Sequence, residues 1–210
     1  DCRYVLVNDG STDPTGELLD HCRNERCLVL HLPHNQGKAE AVRQGILLAL
    51  NHPDWRTVEW FGFWDADFAT PLSELEHLLA YAKLVPGPAD AVFGSRIYML
   101  GSNIRRSAMR HLVGRSFATL FSLLFGIKSY DSQCGAKLFR HEAATQAFAA
   151  PFVTRWLFDV ELQLRLRDRR LIECPLREWT DRGGSKLSSP KAWGVLISDL
   201  CRLCRYYSRS

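Results

Sequence analysis

Val58-Glu59-Trp60-Phe61-Gly62-Phe63-Trp64-Asp65-Ala66-Asp67 is the stretch that decides the fold. Its largely apolar run, Val58 to Trp64, stops abruptly at two carboxylates spaced i, i+2, and Thr70-Pro71 and a helical pattern follow. A buried strand ending in acids delivers them to the carboxyl edge of a sheet, where α/β proteins hold ligands. Two hard oxygen donors there suit Mg²⁺ or Mn²⁺ carrying a diphosphate. Asp-x-Asp alone also serves as a solvated turn, and its neighbours must decide between the two readings.

Working outward, Tyr4 to Val7 reads as a strand running into Asn8-Asp9-Gly10-Ser11-Thr12-Asp13-Pro14, which is turn and helix-cap chemistry. The pattern predicts a helix over 15–24, a strand over Cys27 to Leu32 and a helix from Asn35-Gln36-Gly37-Lys38 to Leu50. After the strand Val58 to Trp64 comes a helix over 72–84, with apolar Leu72, Leu75, Leu78, Leu79 and Ala82 at helical spacing. Pro86-Gly87-Pro88 breaks it before a strand at Ala91 to Phe93. Strands alternating with helices predict an α/β fold with a mostly parallel, doubly wound sheet. Beyond it the pattern predicts helices over 104–126, 141–149, 156–169 and Trp193 to Tyr207, with strands at Ala136 to Phe139 and Leu171 to Cys174.

At 210 residues and 46% hydrophobic content, the chain fits one domain with a substantial core. Charge is unevenly spread. No acid lies between Asp90 and Asp131, a stretch that holds Arg96, Arg105, Arg106, Arg110, Arg115 and Lys128. The C-terminal stretch sets Arg182, Lys186, Lys191, Arg202, Arg205 and Arg209 against Asp199. Such fields favour phosphates or an anionic membrane surface. A nucleic-acid partner is not expected, because no recognition motif is present and the aromatics sit at core-like spacing. The scattered cysteines suit a reducing compartment, and Cys201-x-x-Cys204 is read as helix packing. No apolar run is long enough to span a bilayer. Any membrane contact is expected along a surface, through the basic Phe/Leu helix over 104–126 and the face of Trp193, Leu196, Ile197, Leu200 and Leu203. Core packing is the other reading of both stripes.

In order, Val7-Asn8-Asp9-Gly10-Ser11-Thr12-Asp13, Asn35-Gln36-Gly37-Lys38, Asp65-Ala66-Asp67 and Gly94-Ser95-Arg96 resemble the motifs of family 2 glycosyltransferases with the GT-A fold. Arg105-Arg106-Ser107, the run from Asp131 to Phe139, the run from Arg155 to Glu161 and Gly184-Ser185-Lys186-Leu187 are similar to the polyprenyl-phosphate branch. Within it, the dolichyl-phosphate β-glucosyltransferases are the nearest resemblance. The resemblance covers nearly the whole of residues 1–210 as one domain, with residues 1–100 as the nucleotide-sugar half and 101–210 as the acceptor and membrane-facing half. Relative to the family pattern, a first strand with its nucleotide-holding loop is expected to be missing ahead of Tyr4.

The resemblance implies an inverting transfer of a hexose from a nucleotide diphosphate sugar, UDP-glucose in this branch, to a polyprenyl phosphate. It places Asp67 on a divalent ion, Mg²⁺ or Mn²⁺, with Asp65 near the metal or ribose. Asp9 would accept from the nucleobase, although a turn or cap role suits it equally. Gly37 and Lys38 would approach the nucleotide. Arg96, Arg106, Arg110 and Lys186 would bind phosphates, and Asp131 would act as base or orienting acid. Arg155, Asp159 and Glu161 could form an internal charge network. The mannosyl branch carries a Gln where this chain has Ala69, which argues against GDP-mannose. The alternatives are that mannosyl activity and a catalytically silent sugar-nucleotide or membrane-surface module. The expected location is the cytoplasmic face of a membrane.

Overall fold

The structure is a computed structural model that describes residues 2–105, 108–182 and 190–207. Strands β1 (Tyr4–Asn8) and β2 (Cys27–His31) pair in parallel around helix α1 (Thr15–Asp20). A separate four-stranded sheet has the order β3 (Trp60–Trp64), β6 (Ala136–Arg140), β4 (Ala91–Ser95), β7 (Leu171–Pro175). Helix α2 (Lys38–Asn51) packs against both β1 and β3 and so joins the two sheets. Gly45 makes that close fit possible, since a Cβ there would lie 2.8 Å from Val7 Cγ2.

The expected α/β architecture is present, but the large sheet is mixed. β6 runs antiparallel to both β3 and β4, whereas β7 is parallel to β4. β3 and β4 therefore point the same way, and their carboxyl ends meet the start of β6 at one edge. Periodicity does not encode this reversal, because strand direction depends on how the long excursion between β4 and β6 returns. That excursion also differs from the expected single helix. It begins with a short strand, β5 (Asn103–Arg105), and only then forms α4 (Ala108–Phe125). β5 pairs in parallel with β8 (Glu178–Thr180), a three-residue strand too short to leave a pattern.

The two faces of the large sheet bury different clusters. Phe61, Phe63, Phe93 and Phe139 face α2, α5 (His141–Phe148) and α6 (Phe158–Arg165). Phe139 makes edge contacts with Phe93 and Phe148, at ring separations of 5.7 and 5.4 Å. Val92, Leu138 and Ala136 face Leu78 of α3 (Glu74–Leu84) and Trp179. A third cluster lies between α4, α6 and α7 (Pro190–Tyr207), where Phe121, Val160, Leu196 and Leu203 are buried. The core reading therefore holds for those parts of the α4 and α7 stripes. Trp193, Ile197, Leu112 and Leu124 stay exposed. Cys201 is exposed, so it does not pack as expected, whereas Cys27, Cys134 and Cys174 are buried.

A charge sits inside the first core. Lys137, fully buried on the central strand β6, lies between the rings of Phe63 and Phe93 at 5.4 and 5.2 Å. Its ammonium donates to Asp159 Oδ1 and to the Cys134 carbonyl, both at 2.5 Å. Removing one partner of such a pair strands the other charge without water. Lys137→Met is expected to lower unfolding free energy by about 3–5 kcal/mol in urea titrations, and adding Asp159→Leu should recover much of the loss. Burial pushes the Cys134 thiol up to about 11 and the Cys174 thiol up to about 12. At pH 8, iodoacetamide should label exposed Cys22 and Cys201 and spare these two in the native protein, as read by mass spectrometry.

Candidate active site

The edge shared by β3, β4 and β6 gathers the acidic motif. Asp65 N–H donates to the Gly135 carbonyl at 2.9 Å, fastening the end of β3 to the loop before β6. A Cβ on Gly135 would collide with the Asp65 carboxylate, so this junction requires glycine. The turn beyond is tight. Phe68 N–H donates to the Asp65 carbonyl at 3.1 Å, and Ala69 N–H to Asp67 Oδ1 at 2.9 Å. Phe68 adopts φ 50, the only non-glycine left-handed residue among those described. Trp64 Nε1 donates to the Thr70 carbonyl and Thr180 N–H to the Ala69 carbonyl, at 2.8 and 2.9 Å.

The two aspartates end in different electrostatic states. Lys38, at the start of α2, lies 2.5 Å from Asp65 Oδ1. The contact is ionic, for that buried oxygen receives no aligned hydrogen bond. Burial pulls the Lys38 ammonium down, but Asp159 and Asp65 outweigh it and hold the group above its ordinary range. Asp67 is exposed, and its Oδ2 has no hydrogen-bond partner among the described residues. One carboxylate is thus neutralised by a lysine and the other is presented to solvent. Both are hard oxygen donors, and the open Asp67 oxygen, with Asp65 beside it, fits a divalent ion that draws its remaining ligands from a diphosphate and water. Among the described residues no three acidic, His or Cys groups converge to hold an ion unaided.

Asp131 and Arg96 face each other across the same edge. Arg96 donates through Nε to Oδ2 at 2.6 Å and through Nη2 to Oδ1 at 2.7 Å, and its backbone N–H also reaches Oδ2. Burial works against the Arg96 charge, but Asp131 outweighs it and holds the guanidinium above its usual range. Trp179 lies under that guanidinium at 5.3 Å. Asp131 is therefore already committed as an acceptor, a geometry that suits an orienting acid. Arg96 Nη1 has no hydrogen-bond partner among the described residues. The loop itself is clamped by Glu173, whose carboxylate accepts from Tyr130 N–H at 2.6 Å and Asp131 N–H at 2.8 Å. Arg115 adds a bond to the Tyr130 carbonyl and lies 4.0 Å from its ring.

The predicted nucleotide side is built differently from a simple recognition carboxylate. Asp9 accepts from Gln36 N–H at 2.7 Å and Gly37 N–H at 2.8 Å, so it clamps the turn that leads into α2. Gly10, at φ 68, lets residues 34 and 35 pass against the turn. Gly37, at φ 91, lies under the exposed Arg155 guanidinium. A cleft of about 350 Å³ opens between residues 34–40 and 152–155. The expected network of Arg155, Asp159 and Glu161 is divided. Asp159 serves Lys137, Glu161 receives Val153 and Thr154 N–H together with Arg165, and Arg155 stands apart. Arg106 and Lys186 lie outside the described residues, as does the side chain of Arg110.

The sequence does not single out Glu173 or Lys137 for these roles; the available signal is an ionisable residue inside an apolar strand, at Leu-Ile-Glu-Cys and Gly-Ala-Lys-Leu-Phe.

Known proteins resemble this chain in sequence and in fold. The dolichyl-phosphate beta-glucosyltransferase ALG5C of Trichomonas vaginalis is 34% identical over 212 residues, covering 97% of this chain and 60% of that protein. The dolichyl-phosphate beta-glucosyltransferase of Homo sapiens is 34% identical over 210 residues, covering 93% and 61%. The chain thus spans about three fifths of the length of these curated relatives. A crystal structure of glucosyl-3-phosphoglycerate synthase from Mycobacterium tuberculosis, in complex with Mn²⁺, UDP-glucose and phosphoglyceric acid, superposes with a TM-score of 0.59. That match has 17% identity and covers 94% of this chain and 67% of that one, a likeness of fold. The model of glycosyl transferase family 2 matches residues 1–148, and with the Asp-x-Asp edge built as described, the chain belongs to glycosyl transferase family 2.

Proposed function

We propose that the protein transfers glucose, with inversion, from UDP-glucose to a polyprenyl phosphate of the dolichyl type at the cytoplasmic face of a membrane. The observation that carries this reading is the asymmetric pair at the sheet edge, Asp67 open and Asp65 neutralised by Lys38. Asp67, with Asp65, would hold Mg²⁺ or Mn²⁺, which as a Lewis acid would offset the charge developing on the departing diphosphate. Lys38 keeps its proton beside Asp65 and holds positive charge at the same edge. The relatives' names support the donor sugar and the lipid acceptor. Ala69, buried with both its backbone groups bonded, gives a metal no side-chain ligand, unlike the Gln of the mannosyl branch.

The acceptor chemistry needs little proton removal. A phosphate monoester has a second pKa near 6, so its oxygen is already largely anionic at neutral pH. That oxygen attacks the anomeric carbon from the side opposite the diphosphate, the C–O bond to the diphosphate breaks, and the configuration inverts. Asp131 then serves by fixing Arg96, whose unused Nη1 is suited to a phosphate oxygen. A carboxylate already engaged twice by a guanidinium is a poor base, so orientation is the better assignment.

Radiolabelled transfer to polyprenyl phosphate in detergent with Mg²⁺ or Mn²⁺ tests the proposal. UDP-glucose should donate, GDP-mannose should not, and Asp67→Ala should lower the rate by about a hundredfold or more. Transfer from GDP-mannose alone would move the protein to mannosyl chemistry. No transfer and no nucleotide binding would make it a silent module.

A further inference from the structure

Between β4 and β5 the chain makes a short excursion tipped by Tyr98-Met99-Leu100-Gly101. Its large side chains face solvent, with Tyr98 75% exposed and Leu100 fully exposed. The turn is nevertheless built. Ser102 donates to the Met99 carbonyl through N–H at 3.0 Å and through Oγ–H at 2.7 Å. Met99 N–H donates to Ser102 Oγ at 3.0 Å. Gly101, at φ 86, closes the turn. Polar groups paired within the turn lower the cost of removing it from water. Consecutive large apolar residues held outward at one tip mark a contact surface.

The surroundings point to the kind of surface. The tip lies within the stretch from Asp90 to Asp131 that contains no acid, and exposed Arg105 follows on β5. On the β8 side, Arg177 and Glu178 beside the base of the excursion offset each other, and Asp181 follows next to Arg105, its N–H donating to the Arg105 carbonyl at 3.1 Å. The excursion leaves the same sheet edge that carries Asp65 and Asp67, immediately after Arg96. Four residues on, the Leu100 Cα is at most about 14 Å from that of Arg96. The polar layer of a bilayer is about 5–8 Å deep on each side, which lies within that reach.

We propose that residues 98–100 are a membrane-inserting tip that seats the Asp65, Asp67 and Arg96 edge at the level of the lipid phosphates of an anionic bilayer. The proposal rests on the lipid-phosphate acceptor argued above and adds how that acceptor is met. Tyr98 takes the headgroup level that suits an amphipathic ring, Met99 and Leu100 enter the acyl boundary, and Arg105 is drawn to anionic headgroups. An acceptor phosphate then reaches the sheet edge without its prenyl chain leaving the membrane.

The test uses flotation with phosphatidylcholine vesicles, with and without phosphatidylserine. The double variant Tyr98→Ser/Leu100→Ser should lower vesicle partitioning by about tenfold or more. Transfer to a short-chain, water-soluble prenyl phosphate should stay within about twofold, since neither side chain belongs to the acidic edge. In a Leu100→Trp variant, brominated lipids should quench the new indole fluorescence. Unchanged partitioning of the double variant, or no added quenching at position 100, would overturn the tip. Transfer by a parent protein that does not bind vesicles would also overturn it, leaving the acceptor reading intact. Quenching at position 100 in a protein that transfers to no acceptor would keep the tip and remove the acceptor reading.

Discussion

Two carboxylates on one short turn repel each other, and the site depends on how that repulsion is relieved. Lys38 neutralises Asp65 at 2.5 Å, which leaves Asp67 as the one of the pair that offers an unpartnered oxygen. This arrangement needs three parts of the chain in register. β3 must end where the loop before β6 begins, and the Asp65–Gly135 bond fixes that meeting. Gly135 must lack a Cβ, because the Asp65 carboxylate occupies its place. Finally, α2 must pack on both β1 and β3 to carry Lys38 to the edge, and Gly45 permits the close approach to β1. Behind Lys38 the alternation continues inward through Asp159 to Lys137, so the open edge is backed by paired charge.

The loops around this edge share one construction. Asp9 accepts from two successive backbone N–H groups at 36–37, Glu173 from 130–131, Glu161 from 153–154, Asp199 from 156–157 and Glu74 from 177–178. Loop N–H groups lack a ladder partner, and burying them unmet is costly. A carboxylate supplies two acceptors with the spacing that consecutive amides present. Each clamp fastens a loop, four of them to an element distant in sequence and the Glu161 clamp to the helix that follows, and restricts how the segments bearing Lys38, Asp131 and Arg155 can move. Orientation of this kind matters most where transfer needs the acceptor oxygen, the anomeric carbon and the leaving oxygen nearly in line.

What the sequence made legible was local. The abrupt end of an apolar strand in Asp-x-Asp, and the Asn8-Asp9-Gly10 turn, declare themselves because their signals lie within a few residues. Asp9 stays ambiguous in the sequence because holding a turn and meeting a base both call for an accessible carboxylate. The partners of Glu173 and the Asp159 partner of Lys137 lie far along the chain, and no periodicity records them. The stripes of α4 and α7 were visible as stripes, but not as parts of a shared core, since period gives a face without its neighbour. The antiparallel course of β6 and the three-residue strands β5 and β8 were hidden for the same reason. The Tyr98-Met99-Leu100 tip carries no periodicity, and only the turn shows its side chains held outward.

The neutralisation of Asp65 by Lys38 is the claim most directly open to measurement, by Mn²⁺ titration of the nucleotide-free protein followed by electron paramagnetic resonance. If Lys38 occupies Asp65, Lys38→Met releases a second carboxylate and Mn²⁺ should bind several-fold more tightly, by roughly 1 kcal/mol for one additional partly exposed charge. Equal or weaker Mn²⁺ binding in a folded Lys38→Met protein would contradict the account.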